Sequence, residues 1–197
     1  MPRDIPVGNG NFLITFDQDY CLRDIYYPHV GKENHTDGHK FRFGIWVDGK
    51  FNWVCKDWGL KLRYVTESLI TDVTALNETL GIDLHCNDIV DYKENIYIKK
   101  IILKNLYDRE RDFRVFFSHD YHILESATAD TAYFDPDEKA MIHYKGNRYF
   151  ISIIPMALLE VHGIHGQATT KSFCLFRKTE QDLYYGRCGF ILTNSEI

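Results

Sequence analysis

Three short stretches carry side chains suited to chemistry. The first, "YYPHVGKENHTDGHKF" at residues 26 to 41, places His29, His35 and His39 among Pro28, Gly31 and Gly38. Neutral imidazole is a common zinc ligand. However, His35 and His39 stand four apart, a spacing that aligns two rings only on a helix, and "TDGH" resists helix formation. No metal is expected here. The residues fit a loop whose imidazoles bond backbone carbonyls, or one that faces a ligand or a neighbouring domain. The second stretch, "SHDYH" at residues 118 to 122, lines up Ser118, His119 and Asp120, the residue types of a nucleophilic triad. Consecutive strand residues point to opposite faces, so these three cannot bond one another as a triad must. His119 and His122 likewise fall on opposite parities. The third, "YFDPDEKAMIHY", gathers Asp135, Asp137 and Glu138. Acid-assisted glycoside hydrolysis needs two carboxyls, one of them with a raised pKa. Pro136 makes this cluster a surface turn in which all three stay ionised. "VGNGN" at residues 7 to 11 has the glycines of a phosphate loop but no strand before it and no helix after it, and reads as a turn into the first strand.

The elements that would hold these residues are strands. Through about residue 157, short segments rich in Val, Ile, Phe, Tyr and Trp alternate with Gly, Asn and Asp turns, the pattern of antiparallel hairpins. "NFLITF" and "LRDIYY" flank the turn "DQDY". "FRFGIWV" and "FNWV" flank "DGK", whose Asp-Gly tolerates the positive φ of a tight turn. Further strands are expected in "LKLRYV", "LITDVTAL", "LGIDLHC", "IYIKKIILKNL", "DFRVFFSH", "AMIHYK" and "RYFISII". Alternation is broken in "NIYIKKIILKN", where Lys100 shares a parity with Ile96 and Ile98, yet β-branched residues keep it a strand. No window shows a capped apolar stripe of helical period. Many strands without helices must pack as two layers, so an all-β, large antiparallel two-sheet sandwich is expected. Of the tryptophans, Trp46 has an undecided face because Gly44 invites a bulge.

From about residue 158 the alternation is lost, and the tail, 158–197, diverges, with "SFCLF" and "GFILT" as candidate last strands. The expected organisation is therefore a sandwich over 1–157 followed by this tail, read as closing strands or as a truncated or frameshifted end. An unpaired sheet edge left by lost strands would favour homo-oligomers.

Composition excludes several classes. At 197 residues and 45% hydrophobic the chain can bury a full core. A net charge of -5 with no basic stripe lacks the footprint of nucleic-acid binding. No apolar run approaches the roughly 20 residues that span a bilayer, and "MPRDIPVGNG" has no signal-like region. A soluble, cytoplasmic protein with no membrane contact is expected. Five cysteines without a C-x-x-C pair read as free thiols, and no cofactor is expected.

The run "PRDIPVGNGNFLITFDQDYCLRDIYYPHVGKENHTDGHKFRFGIWVDGKFNW" and, later, "DTAYFDPDEKAMIHYKGNRYF" resemble, in this order, the N-terminal domain of bacterial and archaeal glycoside hydrolase family 15, the glucoamylase, glucodextranase and trehalase group. The resemblance covers about residues 2 to 150. It implies a mutarotase-like antiparallel sandwich preceding an α/α barrel that holds two catalytic glutamates, which hydrolyse α-glucosidic bonds with inversion across about 6.5 to 9.5 Å. No Asp or Glu here takes either role, so no catalytic residue is assigned, and the chain is expected to be inactive alone. Its expected partner is the α/α-barrel catalytic domain, with α-glucan oligosaccharides as a further expected ligand. The loop residues Tyr27, His29, Asn34, His35 and His39 are expected to face that domain or a sugar. Two other readings are a stand-alone carbohydrate-binding sandwich, using Tyr and Trp as stacking platforms, and a mutarotase-like sugar epimerase with His and Glu as acid and base.

Overall fold

The computed structural model describes residues 5–126 and 128–153 in full, and farther on the backbone of three strands. In chain order the strands are β1 Ile5–Gly8, β2 Leu13–Phe16, β3 Leu22–Tyr26, β4 Arg42–Val47, β5 Lys50–Trp53, β6 Gly59–Tyr64, β7 Thr71–Asn77, β8 Ile82–Val90, β9 Ile96–Asn105, β10 Phe113–Ser118, β11 Thr131–Asp135, β12 Ala140–Lys145, β13 Arg148–Ile153, β14 Val161–His162, β15 Phe173–Cys174 and β16 Leu183–Phe190. No helix occurs among the described residues. The boundary expected near residue 157 and the side chains of the tail lie outside the described residues.

The strands form a two-layer β-sandwich. One layer is the large sheet β11-β12-β13-β16-β9-β8-β7-β6, with β14 also on β9; the other holds β1-β2-β3 and β15-β10-β4-β5. Pairings among residues 5–153 are all antiparallel, whereas β14, β15 and β16 pair in parallel. An antiparallel bridge between Leu22 and Phe41 joins the two ladders of the second layer. Between the layers, Ile14, Phe43, Ile45, Val115 and Phe117 share one core with Val73, Leu84, Tyr97, Leu103 and Phe150. Each of these side chains, removed from water, contributes roughly 1.5–3 kcal/mol.

The hairpins follow from turn chemistry. Asp48 and Gly49, between β4 and β5, both have positive φ, 51° and 77°, so that the turn's twist matches the strands. β4 and β10 pair in unbroken register, Phe43 opposite Phe117 and Ile45 opposite Val115, so Gly44 marks no bulge. It is glycine because the Phe51 ring lies across it: a Cβ would meet Phe51 Cζ at 2.5 Å. Trp46 consequently faces outward, with the Arg114 guanidinium 4.4 Å from its ring centre.

Two expectations are corrected. A strand, β1, does precede the "VGNGN" turn; it is only four residues long and places Pro6 on an edge, where the missing N–H costs no ladder bond. In β9 the buried parity is Tyr97, Lys99, Ile101, Leu103 and Asn105, so the charged residue that blurs the alternation is Lys99, which points inward. It can do so because Asp88 sits directly opposite it on β8.

Candidate functional site

Residues 27–41 leave the sheet after β3 and return as β4. The loop's polar side chains fasten it from below. His35 is fully buried. Its Nε2–H donates to the Tyr27 carbonyl at 2.5 Å, and Nδ1 accepts the Leu124 N–H at 3.1 Å, which fixes one neutral tautomer. Burial pushes its pKa down to about 4, against the hydrogen bond to Tyr27, which raises it. The backbone of the same residue bonds the Ile25 carbonyl at 2.8 Å and accepts the His122 N–H at 2.9 Å. Asn34 is equally occupied: Oδ1 accepts the N–H groups of Ile25 and Thr36 and the Thr36 hydroxyl, while Nδ2 donates to Asp24 at 2.9 Å. Burial raises the Asp24 carboxyl, but hydrogen bonds from Thr15, Arg23 and Asn34 outweigh it and hold the group below its ordinary value.

The expectation that Asn34 and His35 face outward meets a different arrangement: His35 is buried, and the polar atoms of both side chains are spent on the chain's own groups. Tyr27 is half-buried, its ring edge-on to Phe12 and Phe150. Arg148 of β13 holds Glu33 at 2.6 Å. What the loop does present to solvent includes His29, Val30 and His39, together with the charged Lys32, Asp37 and Lys40.

His39 has company that the sequence did not disclose. Its ring stacks on His122, centroids 3.6 Å apart and planes 9° from parallel. Beside the ring edges lies Asp120, its Oδ2 3.4 Å from His39 Nδ1 and its Oδ1 3.7 Å from His122 Nε2. The alternation of β10 persists past its end: His119, Tyr121 and Ile123 are buried, while Asp120 and His122 share the opposite, more open parity. Ser118, His119 and Asp120 make no triad. His119 belongs to a buried aromatic group with Phe41, Tyr121 and His143. Burial lowers His119 to about 4 and, reinforced by His119, holds His143 well below the ordinary imidazole value.

Deep in the sandwich is a second polar group. Asp88, fully buried, accepts hydrogen bonds from the hydroxyls of Tyr20 (2.6 Å), Thr71 (2.9 Å) and Tyr97, and from Lys99 Nζ at 2.8 Å. Lys99 also donates to the Tyr20 hydroxyl at 2.6 Å and lies 4.0 Å from that ring's centre. The adjoining cavity, lined by Phe16, Phe43, Phe117 and His119 among others, measures about 30 Å³, room for a water but not a sugar ring. A wider, open cleft of about 510 Å³ lies between Lys50, Phe51, Asn52, Asp57, Asn77, Thr79 and Leu80. There the half-exposed Phe51 ring offers an apolar platform beside amide and carboxylate groups.

Asp130 is raised to about 6 by burial, opposed by Lys145 and by the Ile123 N–H, and its contacts are to the protein's own backbone and lysine. Asp135 caps its own turn, accepting the N–H groups of Asp137 and Glu138.

These features define an all-β sandwich of the kind found in a bacterial glucoamylase: the crystal structure of that enzyme in complex with acarbose matches 72% of the chain with a TM-score of 0.60 at 18% identity. In sequence the chain is 28% identical over 146 residues, 73% of its length, to an uncharacterized glycosyl hydrolase of Methanocaldococcus jannaschii. No protein-family model matches. The chain spans 23% of the length of that relative and 21% of the glucoamylase. The similarity to a glycosyl hydrolase thus rests on sequence, and that to the bacterial glucoamylase on the fold. No helix among the described residues is long and apolar enough to cross a membrane.

Proposed function

We propose that this chain is the non-catalytic N-terminal sandwich of a glucoamylase-like glycoside hydrolase, packing on and supporting an α/α-barrel catalytic domain that lies outside these residues. The carrying observation is one of proportion: nearly three quarters of the chain matches glycosyl hydrolases of which it spans less than a quarter. The docking face is assigned to the solvent-facing part of the 27–41 loop, with His29, Val30 and His39, because the loop's underside is fastened and its outer surface keeps an exposed apolar residue, Val30, next to His29.

Co-expression with the remaining length of the Methanocaldococcus jannaschii relative tests this. The chain should co-purify with it, and His29→Ala with Val30→Asp should weaken the association about tenfold or more while Asp137→Ala leaves it unchanged. Glucose release from maltose by the chain alone would overturn the reading. Titration of the chain with maltohexaose separates the alternative, in which the cleft beside Phe51 binds sugar: saturable binding abolished by Phe51→Ala would move the function there.

A further inference from the structure

We propose that His39, Asp120 and His122 form a binding site for one divalent transition-metal ion of the zinc type, held by two imidazole nitrogens and a carboxylate. One donor atom from each residue lies within 4.8 Å of the other two. Tetrahedral zinc with bonds of about 2.0–2.1 Å separates its donors by about 3.4 Å. Asp120 already lies 3.4 Å from His39 Nδ1 through Oδ2 and 3.7 Å from His122 Nε2 through Oδ1, so the adjustment needed is to bring one carboxylate oxygen and the two ring nitrogens to a shared point. His39 supplies it: its side chain is 47% exposed, on the open side of the loop, whereas His122 is 14% exposed and has its backbone N–H bonded to His35.

The donor types select the ion. Two imidazoles with one carboxylate suit zinc, cobalt or nickel, and disfavour calcium and magnesium, which take oxygen. His122 is held below its ordinary pKa by burial and then by His39; Asp120 and Asp37 oppose this, and Lys145 adds to it. Three protein ligands leave a coordination position for water or an incoming group. The ion would bridge segments 81 residues apart in sequence, tying the 27–41 loop to the chain that follows β10. This site shares His39 with the docking face proposed above but requires no partner domain.

The test uses the full chain, freed of metal by chelation, with Co2+ as the optical probe and Zn2+ as competitor. At pH 7.5 one Co2+ per chain should bind with a Kd of about 10 μM, giving weak visible bands without the intense near-ultraviolet absorption of a cobalt–thiolate bond. His39→Ala and His122→Ala should each weaken binding about 100-fold and Asp120→Asn about tenfold, while His29→Ala leaves it unchanged. Binding should weaken from pH 7.5 to 6 as the imidazoles take up protons. His39→Ala alters an exposed side chain, so a failure to fold cannot account for its effect; circular dichroism checks the others. Absence of saturation up to about 1 mM Co2+, a thiolate band, or unchanged affinity in His39→Ala would each overturn the proposal.

Discussion

Asp88 and Asp120 each sit among polar side chains, and burial gives them opposite roles. Asp88 is sealed from water, and its four donors, from Tyr20, Thr71, Tyr97 and Lys99, all come from the protein. Asp120 is 43% exposed and meets two imidazoles at 3.4 and 3.7 Å, longer than good hydrogen bonds. A buried charge has to be fully satisfied or the fold fails, so its bonding capacity is spent. An exposed one is stabilised by water and keeps its lone pairs for a ligand. The histidines divide in a similar way: burial holds His35 and His119 neutral inside, while His39 is exposed and His122 partly so.

The broadest challenge to this division is acid. His35 and His119 have folded pKa values of about 4, and His143 lies well below its ordinary value, all through burial. With unfolded values near 6.5, the unfolded chain binds more protons below that pH, so stability present above pH 6.5 is lost as pH falls from 6.5 towards 4. Asp130, raised to about 6, works the other way, adding stability as pH falls through that value. The histidines outnumber it, and a net loss of several kcal/mol is expected, comparable with the whole stability of a small domain. Urea unfolding at pH 7.5 and 4.5 reads this; a midpoint unchanged between them would erase the distinction between inner and outer histidines.

Next in size is Asp88→Ala, expected to cost about 3–5 kcal/mol by leaving the Lys99 charge and the Tyr20, Tyr97 and Thr71 hydroxyls buried without their acceptor. Chemical denaturation measures it, and a loss below about 1 kcal/mol would mean that water reaches the group. The smallest effect belongs to Asp120→Asn, which in chelator should change stability by no more than about 1 kcal/mol, as for other exposed ion pairs. A loss above about 2 kcal/mol would class Asp120 with Asp88 as a structural group.

The hairpin frame could be read from the sequence wherever local chemistry decides it. Asp48-Gly49 announces the β4–β5 turn, and the alternation in β7, β8 and β10 reports one buried face. β1 escaped because a four-residue edge strand carrying Pro6 has no pattern to show. In β9 the inward Lys99 hid the parity, since a buried lysine is intelligible only once Asp88 is known to lie opposite. The site was legible only as a list of imidazoles. Whether His35 points in depends on the Tyr27 carbonyl and the Leu124 N–H, and the meeting of His39 with Asp120 and His122 depends on how two loops cross, neither of which adjacent residues encode. The Asp120 and His122 parity was available, but nothing local connected it to residue 39.

The bond from the His122 N–H to the His35 carbonyl has a thermodynamic corollary. It rests one wall of the His39–Asp120–His122 cluster on the same buried residue that anchors the other, so both walls share a preorganised floor. Little backbone entropy then remains to be lost when something settles between them.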